Sequence, residues 1–312
     1  MTRPTTLQSS IGQVTLDSYV MNASGPRCSS AEELHLIGRS NAAAIVTKSC
    51  TILPREGNAE PRYRDLELGA IQSMGLPNLG YNAYLDLVPE LLEHNKPVVV
   101  SISGLSLADN ETMVKAFDGS DASLLEVNFS CPNIAGKPQT AYDFEQVENS
   151  LTRLCSLTDK PLGIKLAPYF DMSHFDSMAE ILNRFPIAFI STINSIGNTL
   201  IIDPQTERAV IKPKGGFGGL CGQYVKPIGL ANVHAFRQRL RDDIDIVGVG
   251  GIYNGTDAFE YALAGASAVQ VATSFQQQGE GCFQRINDEL AALLEAKGYA
   301  SIKEVIGQLK AF

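Results

Sequence analysis

A cysteine among amides, just past the end of a strand, is the arrangement in this chain best suited to chemistry. It stands in LLEVNFSCPN, residues 124–133. The run from Leu124 to Phe129 reads as a buried strand. Pro132 ends it, because proline offers no N–H and pushes Cys131 away from helical conformation. Ser130, Cys131 and Asn133 therefore fall on a loop at the C-terminal end of a strand, where α/β folds place their ligands. A thiolate there would be an acid/base group, with Asn128, Ser130 and Asn133 beside it to hold a substrate. The competing reading is a small buried thiol that only packs. Local sequence leaves both open.

Other candidates fall at predicted strand ends: Ser24, Lys48, Asn194, Ser195, Gly250, Gly251 and Thr273. Lys165 lies inside the strand GIKL, and pointing inward it would need an anionic partner, since an unpaired buried charge is costly. Gly248 to Gly251 and Ala272 to Ser274 close the last two predicted strands. In barrels, backbone N–H groups at that place face a phosphate. Asn78, Asn128, Asn133 and Asn194 could cage a flat ligand of alternating C=O and N–H groups, because an amide both donates and accepts. For any one of them, turn chemistry is the plain alternative. His35, His94, His174 and His234 fall in or beside predicted helices and read as surface residues. No metal-ligand spacing stands out, and none is expected.

These residues must be positioned by the elements between them. Apolar runs and turn signals alternate about eight times: strands near 42–47, 98–103, 124–129, 162–166, 188–193, 244–249 and 268–272 follow two short N-terminal strands at 13–16 and 19–23. Helices fill the gaps, including 31–39, 83–93, 142–157, 227–240 and 281–297. The segments 51–81 and 200–222 read as long irregular loops, and loops of that length are usually functional. The pattern predicts an α/β fold, a single (β/α)8 TIM barrel over residues 1–312 with an N-terminal β-hairpin and long βα loops. A doubly wound open sheet is the alternative, weakened by the lack of a GxGxxG after the first strand.

Composition is consistent with such a barrel. The 312 residues are 44% hydrophobic with a net charge of −9. Basic residues form no stripe, which argues against a nucleic-acid partner. Six cysteines without paired spacing point to reduced thiols in a cytoplasmic protein. No apolar run approaches the ~20 residues that span a bilayer, so no membrane association is expected.

Taken together, the motifs MNASG (21–25), TKS (47–49), SMGLPN (73–78), NFSCPN (128–133), GKPQTAYDFE (136–145), GIKLAP (163–168), NSIGN (194–198), KPKGGFGG (212–219) and GVGGI (248–252) resemble the dihydroorotate dehydrogenase family. The likeness is to its class 1A, the fumarate-reducing form. The resemblance implies FMN at the barrel mouth, touched by Ala23, Ser24, Lys48, Ser49, Asn128, Lys165, Ile193, Gly222, Gly250, Gly251, Ala272 and Thr273. It implies a substrate pocket of Lys48, Gln72, Ser73, Met74, Gly75, Leu76, Asn128, Asn133, Asn194 and Ser195, with Cys131 as base and Lys165 stabilising reduced flavin. The implied reaction is oxidation of (S)-dihydroorotate to orotate with fumarate reduced to succinate, in pyrimidine biosynthesis, by a homodimer. Two positions depart from the family's usual residues: Gln72, where Asn is usual, and Ala272, where Gly is usual. The alternatives are a class 1B-like enzyme that passes electrons to an iron–sulfur/FAD partner and NAD, and a flavin-binding barrel without activity.

Overall fold

Eight short strands, each alternating an inward and an outward side chain, set the architecture in a computed structural model that describes residues 5–133, 136 and 138–311. They are β1 (Val20–Asn22), β2 (Ile45–Val46), β3 (Val98–Ile102), β4 (Leu124–Asn128), β5 (Leu162–Lys165), β6 (Phe189–Thr192), β7 (Asp245–Val249) and β8 (Ala268–Val271). All pair in parallel, in the order β1-β8-β7-β6-β5-β4-β3-β2. Helices α1 (Ala31–Arg39), α2 (Tyr81–Leu92), α3 (Leu107–Asp118), α4 (Phe144–Leu154), α5 (Met172–Leu182), α6 (Lys226–Arg237) and α7 (Gly255–Ala264) connect successive strands, and α8 (Thr273–Gln278) and α9 (Gly281–Ala296) follow the last. The (β/α)8 barrel expected from the alternation is the fold.

Short polar residues start these helices. Ser30, Ser106 and Asn254 each accept from the backbone N–H three residues on, while Glu33, Asp109 and Asp257 bond back in a capping box. Asp143 caps α4, so the helix expected from residue 142 starts at Phe144, after a separate turn at Thr140–Tyr142.

The barrel interior is layered. Leu124, Val99, Phe189, Val247 and Ala268 form an apolar floor. One inward step up each strand stand Ser101, Glu126, Ser191 and Gln270, all buried. One step further, Asn128 and Lys165 pair across β4 and β5 at the mouth. The residues between, such as Leu125, Val127, Ile164 and Ile190, face outward into the core shared with the helices. An N-terminal hairpin of Ser9–Ile11 and Val14–Leu16 plugs the floor with Ile11 and Leu16. An N-terminal hairpin was expected, with short strands read at 13–16 and 19–23. The first of those strands pairs backward with Ser9–Ile11, which the sequence pattern does not mark as a strand, and the second is barrel strand β1.

Two further expectations need correction. The loops at 51–81 and 200–222 are not irregular. They supply Tyr63–Leu66, Gly69–Gln72 and Gly218–Gly222 to an antiparallel sheet completed by Ile196–Thr199. Glycines disguised this sheet in the sequence. Gly69 and Gly222 pack so closely that a Cβ on Gly222 would lie 2.3 Å from the Gly69 Cα. The histidines are not all plain surface residues either: His35 and His94 are half-buried, with His35 Nδ1 2.9 Å from His94 Nε2.

Between β1 and β2 a backbone bond runs from Ala43 N to Val20 O at 2.8 Å, and the fully buried Asn22 side chain bridges the rest of the seam. Its Nδ2 donates to Val46 O at 2.7 Å, and its Oδ1 accepts from Val46 N at 2.9 Å. Removing it leaves two buried backbone groups unsatisfied, each worth about 1–3 kcal/mol. Asn22→Ala is therefore expected to lower the unfolding free energy by roughly 2–5 kcal/mol, measured by urea denaturation. Stability within about 0.5 kcal/mol of the parent would show that other contacts hold the seam.

Candidate active site

Above the polar layer the strands open into a cavity of about 680 Å³. Its wall carries Ala23, Ser24, Lys48, Asn128, Lys165, Ile193, Gly222, Gly250, Gly251, Ala272 and Thr273 from the expected cofactor contacts. It also carries Gln72, Met74, Gly75, Leu76, Asn133, Asn194 and Ser195 from the expected substrate contacts, together with Cys131. Ser49 and Ser73 are fully buried and do not reach the wall. Ser49 sits behind it, bonded to Ser24, Ser101 and Asn128. Asn78 leaves the proposed amide cage, because its side chain binds Thr51, Leu76 O and Gly80 N and so shapes its own loop.

Barrel strands fix the two lysines of the cavity. Lys48 follows β2 and donates to Ser24 O at 3.1 Å and Gly25 O at 2.8 Å. Burial lowers its ammonium from the usual lysine range, while the nearby thiols of Cys28 and Cys131 oppose that shift. Lys165 is 4% exposed. Its Nζ donates to Gln270 Oε1 at 3.2 Å and lies 3.9 Å from Glu126 Oε1. Glu126 accepts from Ser24, Ser101, Ser191 and Gln270, so both carboxylate oxygens are satisfied within the barrel. Sequence reasoning missed Glu126 and Gln270. A signal was present: the period of two in LLEVN puts residues 124, 126 and 128 on one face, so an inward carboxylate stood in the sequence as the partner that Lys165 required.

At the far end of the cavity Gly250 and Gly251 have φ of 128° and 70°. A Cβ on Gly251 would lie 2.6 Å from Lys226 Cβ and 2.9 Å from Gly222 O, so only glycine lets the chain turn there. Ser274 Oγ is buried on the same wall and has no partner among the described residues. Ala272 has φ −126°, outside the left-handed region that would require glycine.

Four amides carry much of the remaining polarity. Asn128 Oδ1 accepts from Ser130 N at 3.0 Å, Asn194 Oδ1 accepts from Ser195 N at 2.7 Å, and Gln72 Oε1 accepts from Met74 N at 3.1 Å. Asn133 Nδ2 donates to Gln72 Oε1 at 3.0 Å. Cys131 is half-buried at the cavity edge. Of the loop that follows it, residues 134, 135 and 137 lie outside the described residues.

The chain is similar to known proteins along most of its length. The family model described as dihydroorotate dehydrogenase matches residues 6–294. A relative named dihydroorotate dehydrogenase A (fumarate), from Lactococcus lactis subsp. cremoris strain MG1363, is 52% identical over 294 residues, covering 93% of this chain and 94% of its own. A Streptococcus equi subsp. equi protein named putative dihydroorotate dehydrogenase A (fumarate) is 50% identical over 303 residues, 96% of this chain and 97% of its own. Among solved structures, DHODH from Eimeria tenella in complex with ferulenol superposes with a TM-score of 0.83 at 21% identity, over 96% of this chain and 88% of that one. At that identity the match speaks for the fold.

The thiols should separate by reactivity. Burial pushes Cys28 and Cys282 up to about 12 and Cys155 up to about 11, and it raises Cys50 and Cys221 as well. Alkylation needs the thiolate, and Cys131 alone combines an open cavity with a loop position. Brief iodoacetamide treatment at about pH 8, read by peptide mass spectrometry, is expected to label Cys131 first. A first label on any of the other five would show that reagent does not reach it through the cavity.

Proposed function

The chain belongs to the dihydroorotate dehydrogenase family, and from that premise we propose that it oxidises (S)-dihydroorotate to orotate through FMN, with fumarate as the electron acceptor. The observation that carries this reading is one cavity holding Cys131, two buried lysines and three oriented asparagines. The fumarate-named relatives support it over the class 1B-like alternative. A thiol on the same wall as Lys48 and Lys165 supports it over an inert barrel.

The wall fits FMN. Gly250, Gly251 and Thr273 offer backbone and hydroxyl donors where a phosphate would sit, and the unpartnered Ser274 Oγ is one donor more. Ala23, Ser24, Ile193, Gly222 and Ala272 offer a narrow wall for a flat ring, with Lys165 at its inner edge. When bound, FMN supplies the acceptor for the hydride from C6 of dihydroorotate and the donor for fumarate.

The chain's own residues do the rest. Cys131, as thiolate, takes the proton from C5, and the resulting thiol holds the proton that succinate needs. Lys48 attracts the substrate carboxylate, since its Nζ is tethered by two carbonyls and stays in place. Asn128, Asn133, Asn194 and Ser195 orient the ring against Met74, Gly75 and Leu76. Lys165 places positive charge where negative charge develops, and Glu126 holds it there. The same reading has the enzyme act in the cytoplasm as a homodimer; exposed apolar side chains at Leu200 and Phe217, next to the strands of the sheet built from the long loops, and at Ile202 support the dimer.

Three measurements test this. Mass spectrometry of the released cofactor should give FMN, and FAD would end the assignment. Lys165→Ala should slow flavin reduction by about 10²–10³-fold, the usual loss for one electrostatic donor. Equal rates would remove Lys165 from the chemistry. Cys131→Ser should slow flavin bleaching by dihydroorotate about 10²–10⁴-fold at neutral pH, the usual worth of a general base. The parent's rate should rise with pH and level off as the thiol ionises, while the variant's deficit shrinks. Parent-like bleaching by the variant at neutral pH would show that Cys131 is not the base.

A further inference from the structure

Behind the cavity wall lies a carboxylate that does not reach the cavity. Glu126 is 0% exposed, whereas Lys165, Ser24 and Gln270 line the wall in front of it. Its place follows from the strand period: in LLEVN, residues 124, 126 and 128 share one face, so Glu126 points into the barrel one step below Asn128. A charge there can act on a ligand only through the field it adds and through the groups it holds.

Two side chains bridge this carboxylate to Lys165 with their dipoles aligned. Lys165 Nζ donates to Gln270 Oε1 at 3.2 Å, and Gln270 Nε2 donates to Glu126 Oε2 at 3.2 Å. Lys165 Nζ also lies 3.5 Å from Ser24 Oγ, which donates to Glu126 Oε1 at 3.3 Å. Each bridge thus turns an oxygen to the ammonium and a hydrogen to the carboxylate. Ser101 at 3.2 Å and Ser191 at 2.6 Å complete the donors around Glu126. The two charges are held 3.9 Å apart in a buried place, where solvent screens them little.

We propose that Glu126 is a positioning residue that sets the reduction potential of the bound flavin, by offsetting part of the charge that Lys165 presents to the ring. This rests on the reading that FMN lies against Lys165. Charge beside a flavin ring tunes its electronics. A lysine with no counter-charge would favour the reduced ring strongly. That would help the step that takes hydride from dihydroorotate and hinder the step that returns it to fumarate. A carboxylate behind the lysine weakens that bias, so one cofactor serves both steps. If Glu126 only anchored Lys165, its loss would loosen the lysine, and the reduced ring would be stabilised less. The two roles therefore predict opposite signs.

The test is the midpoint potential of the flavin in the purified holoenzyme, read by equilibration with a dye of known potential. Glu126→Gln keeps the shape and removes the charge. It should raise the potential on the order of 30 mV, tenfold in the two-electron equilibrium. Glu126→Asp keeps the charge and should stay within about threefold of the parent, or about 14 mV. A fall in Glu126→Gln, or a rise no larger than that of Glu126→Asp, overturns the inference. Should Glu126→Gln not fold, Lys165→Ala and Lys165→Ala/Glu126→Gln carry the test, since the double variant leaves neither charge of the pair without its partner. The double variant must then show the higher potential, and an equal or lower one overturns the inference. A parent that binds no flavin would defeat the functional reading instead, so the two failures are distinct.

Discussion

A lysine buried inside the barrel constrains everything built above it. Lys165 cannot hold its charge there without an anion and a polar shell, because an unpaired buried charge costs several kcal/mol or more. Glu126 supplies the anion at 3.9 Å, and four side chains from β3, β6, β8 and the loop after β1 satisfy the carboxylate. The consequence is a barrel divided by height, with hydrocarbon at the floor, a charge pair in the middle and an open polar mouth. The floor cannot be polar as well, since it is sealed by the N-terminal hairpin and has no route to water. Chemistry is thereby confined to one end, and the charge that attracts a reduced ring is fixed by strands rather than by loops.

The mouth is shaped by a second structure, the antiparallel sheet drawn from two long loops. Its strands bring Gln72 and Gly222 to the cavity and set Ser195 at the edge of the sheet. A loop held by ladder bonds loses less entropy when a ligand binds than a loose one. Gln72, on one of its strands, stands already oriented by the Met74 N–H. Recognition in this pocket is thus a property of backbone geometry expressed through side chains, and Gln72 bonds the sheet to Asn133 on the loop that carries Cys131.

The sequence by itself determined the barrel and most of the wall of its cavity. Strand and helix periods are local, and so are the caps at Ser30, Ser106 and Asn254. A residue placed just past a strand must lie at the mouth of a parallel barrel, and so Lys48, Asn128, Cys131, Asn194 and Gly250 were legible from position alone. Only the tertiary structure decided what depends on partners far apart in the chain. Glu126 and Gln270 became part of the site because β4 and β8 face each other across the barrel. Ser49 and Ser73 lost their places because the wall passes in front of them. The hairpin chose Ser9–Ile11 as its second strand, and the glycine-rich loops became a sheet because Gly69 and Gly222 meet at a distance no side chain allows. Asn78 was spent on its own turn, and the Asn133 amide nitrogen found its partner in Gln72, 61 residues away. Sequence spacing reports which way a side chain points from its own element, whereas hydrogen-bond direction is settled only when the partner arrives.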